Sequence, residues 1–474
     1  MSTNAYLIVS DLHVTEVEDH DDGWMRYKST PLVFDSAFAA LVDRFAADHA
    51  GRDLTLVLNG DIIDFDLVTS VPAAPAFPVR RRERAYGLDP TDAKSRWKLA
   101  RILADHPVFV ATLGRFVAAG HRIVYVLGNH DRELAFEGVQ AVLRDSVVAA
   151  AAEAGAKDLD GARALAFAPW FHYVPGELYC EHGNQYDTWS SFRYVLATPV
   201  PEADGVVSVP LPMGNFANRY LLNRMGFFNP HAGDFMQSAA GYVAHWLRHY
   251  AFKKRGLIFR WMWGSILIFL GMIRNRARVR RQAPDLHLAR RAELARDSGL
   301  APEVVAALDG LMARPVNLHL FPILRELWLD RVVMALLMIG GTLALALASV
   351  PLWLKLMVPL VGFPLLYLIY ELVVAQDINA YQRALPDRAR RIARLVGVPV
   401  VAFGHTHEPM IVPLDPGHAL VNTGTWAPTW ETAELGPPGK PPPPTPGKRN
   451  YAIVDPKGGE HGVRLGSWQA QGRA

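Results

Sequence analysis

Five times along this chain a short apolar run gives way to aspartate, histidine or asparagine, and the fifth instance lies far beyond the other four. Residues 6–9 lead to Asp11-Leu12-His13, residues 54–58 to Gly60-Asp61 with Asp64, and residues 123–127 to Gly128-Asn129-His130-Asp131. A β-rich stretch ending at Tyr179 leads to His182-Gly183-Asn184, and residues 399–403 to Gly404-His405-Thr406-His407. Brief apolar runs bounded by glycine read as buried strands. In layered α/β sheets the loops just past strand ends are where functional side chains collect. Two imidazoles alone do not fill a catalytic metal site, so His405 and His407 require partners from the N-terminal third. The chain must therefore fold back across everything between.

The intervening pattern points to an α/β fold. Apolar residues at 34, 37, 38, 41, 42 and 45 make a helical stripe with Gly51 beyond it, and a second helix is expected over 109–119, closed by Gly120. Strand, helix, strand in that order predicts a sheet with parallel pairs. Further strands are expected at 398–403, 410–413, 419–422, 450–454 and 462–465, with a proline-rich loop at 437–446. The run Arg80-Arg81-Arg82-Glu83-Arg84 reads either as a solvated charge run or as a patch that steers phosphate. The 49 basic and 46 acidic residues leave a net charge of only +3, so no broad basic field suggests a nucleic-acid partner. The single cysteine, Cys180, excludes an intrachain disulfide framework, suits a reducing compartment and is expected to be buried. No secretory leader is evident.

Residues 333–375 form the longest apolar stretch, broken by Lys355 near its middle and Glu371 near its end. One helix of that length would run about 64 Å, about twice a hydrocarbon core, whereas two would give spans of roughly 18 to 20 residues. We expect spans at 333–350 and 356–375, turning at Pro351 and Lys355. Trp328, Trp353, Tyr367 and Tyr370 bracket them as an interfacial belt would. Arg325 and Arg331 precede the hairpin and Arg383, Arg388, Arg390, Arg391 and Arg394 follow it, which predicts both ends at the cytoplasmic face of an inner membrane. Residues 257–273 are also apolar, but they contain Arg260 and have basic flanks on both sides, so an interfacial helix is expected there.

Taken in order, D-x-H, G-D-x-x-D, G-N-H-D, H and G-H-x-H resemble the blocks of the calcineurin-like metallophosphoesterases. The resemblance covers residues 6–187 and 398 to about 430. It implies a four-layer α/β/β/α sandwich, here as an N-terminal part (1–187) and a C-terminal part (376–474). Between them would lie a helical insertion (188–332) serving as cap and a transmembrane hairpin (333–375). It implies one metal held by Asp11, His13, Asp61 and His407, and a second by Asp61, Asn129, His182 and His405. His130 would serve the leaving group, with Asp131 or Asp64 orienting its ring, and Thr406 would shape the turn. Carboxylate, imidazole and amide ligands suit two divalent ions, Mn first, with Fe or Zn also compatible. Such a pair activates water and opposes charge on phosphoryl oxygens.

The wording Ser-Asp-Leu-His, His-Gly-Asn-Gln-Tyr-Asp187 and Asn422-Thr-Gly-Thr-Trp426 is similar to the branch that includes UDP-2,3-diacylglucosamine pyrophosphohydrolases. That branch carries Arg where this chain has His130 and lacks the long apolar insertion. The expected partners are thus a bilayer and a phosphorylated small molecule or lipid, reached along an apolar route that includes Trp261, Trp263 and Phe269. A tethered enzyme for soluble nucleotides or phosphoproteins, and a non-catalytic membrane scaffold, are the alternatives. The remaining twelve histidines, His231 among them, are expected to be structural or solvated, including His245 and His249 despite their i, i+4 spacing.

Overall fold

A computed structural model describes residues 4–20, 25–156, 160, 164–201, 205–223, 231, 257–281, 284–374, 380–429, 444–456 and 462–468. In chain order the strands are β1 (Ala5–Val9), β2 (Leu54–Asn59), β3 (Arg122–Val126), β4 (Leu165–Ala168), β5 (Phe171–Val174), β6 (Leu178–Glu181), β7 (Val200–Pro201), β8 (Val207–Ser208), β9 (Val400–Phe403), β10 (Pro409–Pro413), β11 (Ala419–Thr423), β12 (Asn450–Val454) and β13 (Val463–Ser467). They build a six-stranded sheet, order β13-β12-β1-β2-β3-β4, a five-stranded sheet, order β10-β11-β9-β6-β5, and a small β7-β8 ribbon. β1 to β4 run parallel, as do β6, β9 and β11, so the five polar loops leave the sheets in a common sense.

The near-continuous apolar character of these strands has a direct cause. Ala5, Leu7 and Val9 point to one side of β1 and join the cluster that holds Phe38, Leu41, Phe45 and Leu113 from the helices Asp35–Asp48 and Pro107–Ala118. Tyr6 and Ile8 point the other way, into a second cluster shared with Cys180, Val400, Ala402 and Val421 of the five-stranded sheet. Strands buried on both faces lose the polar alternation of a half-exposed strand. Cys180 lies fully inside that second cluster, as expected. Helix Ala380–Val396 packs against β9 and β11 of the five-stranded sheet.

Trp426, just past β11, ties the C-terminal part to the N-terminal one. Its amide donates to the Asp11 carbonyl (3.1 Å), its indole Nε1 donates to the Asn450 carbonyl (2.7 Å), and its ring meets Phe34 edge-on at 5.4 Å. Truncating so large a buried ring typically costs about 3–5 kcal/mol. Trp426→Ala is expected to lower the unfolding free energy by that amount, read from denaturant titration followed by far-ultraviolet circular dichroism.

After the His182 loop the chain leaves the two larger sheets until β9. Its described part includes a short helix, Met213–Ala217, that runs into a π-helical turn, Asn218–Leu222, and the long helix Leu257–Arg281. Among the described residues two helices are long and apolar enough to cross a membrane, Leu329–Leu347 and Leu352–Val373, and neither is buried against the rest of the protein. The first both starts and ends earlier than the expected 333–350. Pro351 explains its end: a residue ahead of proline is driven from the helical region, and the chain is already extended at Ala348 (ψ 150°). Lys355 turns back to donate to the Ala346 carbonyl (2.9 Å), closing the hairpin at its tip. At the base, Arg331 grips Glu371 with two bonds of 2.7 and 2.9 Å, and Tyr370 donates to Asp330. Of the proline-rich loop, residues 437–443 lie outside the described residues, as do His245 and His249.

Candidate metal centre

The fold brings all five loops to one place. Asp11, His13 and His407 present ligand atoms within 4.8 Å of one another; so do Asp61, His182 and His405, and so do His13, Asp64, His130 and His231. His13 Nε2 and His407 Nε2 stand 3.3 Å apart, with His407 Nε2 at 3.2 Å from Asp11 Oδ1. His182 Nε2 lies 2.9 Å from Asp61 Oδ2. The backbone is unusual at the same positions. Among the described residues, seven non-glycine positions have positive φ, and five of these are Asp11 (51°), His13 (50°), Asp61 (52°), His405 (68°) and His407 (60°). Such conformations cost about 1–3 kcal/mol each and persist where surrounding structure enforces them, often at functional sites.

Close packing of the loops does that enforcing. The amides of Asp11 and His13 donate to the carbonyls of Gly60 and Asp61 (3.1 and 3.0 Å), and the His405 amide donates to the Asp11 carboxylate. Gly60 sits at φ 80° with the His182 ring so close that an added Cβ would come within 2.5 Å of it. Thr406 belongs to the turn: its hydroxyl accepts from Asn422 Nδ2 (3.1 Å), which also donates to the Gly404 carbonyl (2.7 Å).

Whether these residues suit metal ions can be tested on their unused atoms. Asp61 Oδ2, Asn129 Oδ1 and His182 Nε2 are all buried, and none takes part in a hydrogen bond. His182 Nε2 and Asp61 Oδ2 are near each other but off the line that an N–H···O bond requires. Buried polar atoms without partners are rare and costly, and three of them converging is what ligand atoms look like. The opposite ring nitrogens are held as metal-ligating histidines require. His13 Nδ1 meets Asp64 Oδ2 at 3.0 Å, His182 Nδ1 meets the Asn59 carbonyl at 3.0 Å, and His405 Nε2 meets Asp187 Oδ2 at 3.1 Å. Burial alone would lower the His182 imidazole, but the Asp61 and Asp11 carboxylates raise it to about 9. A cation entering this cluster takes over the role of that proton. The donor set therefore fits divalent ions.

His130 faces the same space. Its Nδ1 lies 3.2 Å from Asp66 Oδ2 and 3.5 Å from Asp64 Oδ2. Of the two carboxylates expected to orient this ring, Asp64 is beside it and Asp131 is not. Asp131 accepts from the Gly128 amide (2.6 Å), the Ile62 amide (3.1 Å) and Tyr125 OH (2.8 Å), so it staples the Asp61 and Asn129 loops together. Burial, then Asp61, raises its carboxyl to about 7.

Two contributors were missed as site residues in the sequence. His231, assigned above to the structural histidines, stacks on His13 with centroids 3.5 Å apart and brings Nε2 to 2.8 Å from Asp64 Oδ2. Asn215, from the insertion, is fully buried against Asn129 and Asp66. The Arg80–Arg84 run, for its part, sits beside a junction with the insertion: Arg82 pairs with Asp89 (3.1 Å), and Arg219 pairs with the same carboxylate (3.0 Å).

Paired β-sheets whose loops gather carboxylates and imidazoles around shared, unpartnered ligand atoms define a metal-dependent hydrolase. Residues 5–235 match the calcineurin-like phosphoesterase family, so the chain carries a calcineurin-like phosphoesterase domain, and that family implies metal-dependent phosphoester hydrolase activity. The matched region ends well before His405 and His407, which the fold returns to the same centre. No curated protein matches the chain.

Proposed function

We propose that this protein is a membrane-anchored metallophosphoesterase with two divalent ions, Mn by preference, that hydrolyses a phosphoester or pyrophosphate bond in a lipid-linked substrate at the cytoplasmic face. In this reading Asp11, His13, Asp61 and His407 hold one ion, and Asp61, Asn129, His182 and His405 hold the other. The ions supply activated water and offset phosphoryl charge. His130, whose Nδ1 lies near Asp64 and Asp66, serves the departing oxygen, and Asp131 keeps the two loops in register. Residues 1–187 and 376–474 form the four-layer catalytic sandwich, 188–332 its cap and 333–375 the hairpin.

The observation that carries the reading is the convergence of His405 and His407 on Asp11, Asp61 and His182 across the insertion. Residues sharing one centre lie on one side of any bilayer, so the chain between them crosses an even number of times. Two apolar helices meet that condition.

The loop that carries His182 is clasped by the insertion's neighbours on both sides. The Ala313 and Val316 amides donate to the Gln185 and Thr188 carbonyls (2.8 and 2.9 Å) ahead of the hairpin. After it, Tyr381 OH and Arg388 donate to the Gly183 and Tyr186 carbonyls (3.2 and 2.6 Å). A centre wired so closely to the hairpin suits a substrate presented at a membrane surface.

Helix Leu257–Arg281 supports the same placement as an interfacial element. Gly264 lies against Tyr220 and Leu221, Gly271 against Phe216, and Ile268 and Met272 are fully buried. Trp263, Ile266, Leu270 and Ile273 form an exposed apolar stripe at helical spacing, and Arg274 follows. The expected apolar route along this helix differs in one respect. Phe216, Tyr220 and Leu221 of the preceding segment stand between it and the metal loops; Phe269 packs partly into the core, and the Trp261 side chain lies outside the described residues.

The test uses full-length protein in detergent micelles with Mn, assayed on p-nitrophenyl phosphate, bis-p-nitrophenyl phosphate, a nucleotide pyrophosphate and an acylated pyrophosphate. Expected is a kcat/KM at least about tenfold higher for the acylated substrate, the worth of burying roughly two methylenes. Equal values would remove the lipid from the proposal, and silence on every substrate would remove the chemistry.

A further inference from the structure

The insertion helix beginning at Met213 turns its amides, not its apolar side, toward the metal loops. Asn215 and Asn223 are almost completely buried, and Asn218 nearly so. Asn215 Nδ2 donates to Asp66 Oδ2 (2.5 Å) and to the Asn129 carbonyl (2.9 Å). Asn223 Nδ2 donates to the Asp66 carbonyl (2.6 Å), and Asn218 Nδ2 lies 3.3 Å from His130 Nε2.

Chemistry dictates which way each amide faces. A carboxylate and a backbone carbonyl only accept, so the side of Asn215 that meets Asp66 and the Asn129 carbonyl must be its NH2. Its Oδ1 then points at the Asn129 side chain, and only the NH2 of Asn129 can face it without repulsion, at 3.3 Å. Asn129 Oδ1 is consequently turned to the opposite side, where it is buried and without a partner. The Asn129 carbonyl, which can only accept, is enough to fix this chain of contacts.

We propose that Asn215 is a positioning residue for the metal centre: it locks the Asn129 amide so that oxygen, not nitrogen, is offered as a ligand. This rests on the reading of Asn129 as a metal ligand. It makes the insertion a structural half of the centre, since Asp66 anchors Asn215 and also contacts His130 Nδ1 (3.2 Å). Partners that orient a ligand in this way are typically worth 10- to 100-fold in metal affinity.

The experiment is a calorimetric Mn titration of the metal-stripped full-length protein in detergent. The unaltered protein is expected to bind two equivalents. Asn215→Ala is expected to weaken one equivalent about 10- to 100-fold and leave the other unchanged. In an Asn129→Asp background both side-chain atoms are oxygen and orientation is moot, so Asn215→Ala should change affinity less than about twofold there. Asn215→Asp loses one donated bond, because a carboxylic acid has a single proton for the two acceptors Asp66 and the Asn129 carbonyl, but it keeps the oxygen that accepts from Asn129 Nδ2 and should restore affinity to within about threefold. That variant keeps the side-chain volume, so it remains informative should Asn215→Ala not fold. An unchanged titration for Asn215→Ala, an equal loss in both backgrounds, or an Asn215→Asp variant that binds one equivalent weakly would overturn this inference alone. Fewer than two equivalents in the unaltered protein would overturn the dinuclear reading beneath it.

Discussion

Asp61→Asn is expected to strip metal from the protein and to reduce kcat/KM by about two to four orders of magnitude. The substitution preserves shape, so Oδ1 can still accept from the His130 amide (2.7 Å). What changes is charge: an NH2 replaces the partnerless Oδ2 that sits 2.9 Å from His182 Nε2. Removing one member of a buried charged set costs about 3–5 kcal/mol, and each 1.36 kcal/mol is tenfold in rate. Metal content by inductively coupled plasma mass spectrometry and turnover of bis-p-nitrophenyl phosphate should fall together. A variant that keeps two equivalents of metal and turns over within threefold of the parent would show that Asp61 is not shared between the ions.

His130→Ala should separate the two readouts instead. Turnover is expected to fall about 10²- to 10⁴-fold, the usual worth of a positioned proton donor, while metal content stays at the parent level. Burial works against a charged imidazole here, but the Asp64 and Asp61 carboxylates outweigh it and hold His130 well above the usual histidine range. Its Nδ1 faces Asp64 and Asp66 and its Nε2 the Asn218 amide, so the side chain hangs from carboxylates outside the two ligand trios. Parallel loss of metal and turnover would make His130 a structural member of the centre.

What could be read from the chain alone was whatever is written locally. Strand ends announce themselves by an apolar run giving way to polar residues, at a glycine in three of the five cases, so Asp11, Asp61, Asn129, His182, His405 and His407 stood out as candidates before any contact was known. The hairpin was visible for a similar reason, because twenty apolar residues leave few alternatives, although its first helix ended earlier than hydropathy alone suggested. The outer partners of the ligands are another matter. Asp131 and His130 are neighbours in one loop, and adjacent residues there point in unrelated directions, so adjacency could not say that Asp131 would serve Gly128, Ile62 and Tyr125. Asn215 and His231 lie in a segment with no glycine-bounded strand ahead of them. Only the return of the insertion over the loops gives them a role, and no window of the sequence contains that return. The spacing of Asn215, Asn218 and Asn223, uncharged amides on a helix whose other side is Phe216 and Tyr220, was the one available trace.

The order of the strands in the larger sheet bears on how the protein comes into being. β1, the first strand made, lies between β2 and β12, and β12 and β13 are the last. β6 likewise waits for β9, and with it for His405 and His407. Both apolar helices leave the ribosome during that wait. At that point the nascent chain still has two unpaired strand edges and an incomplete set of ligands, so the centre can close only after both apolar helices have been made.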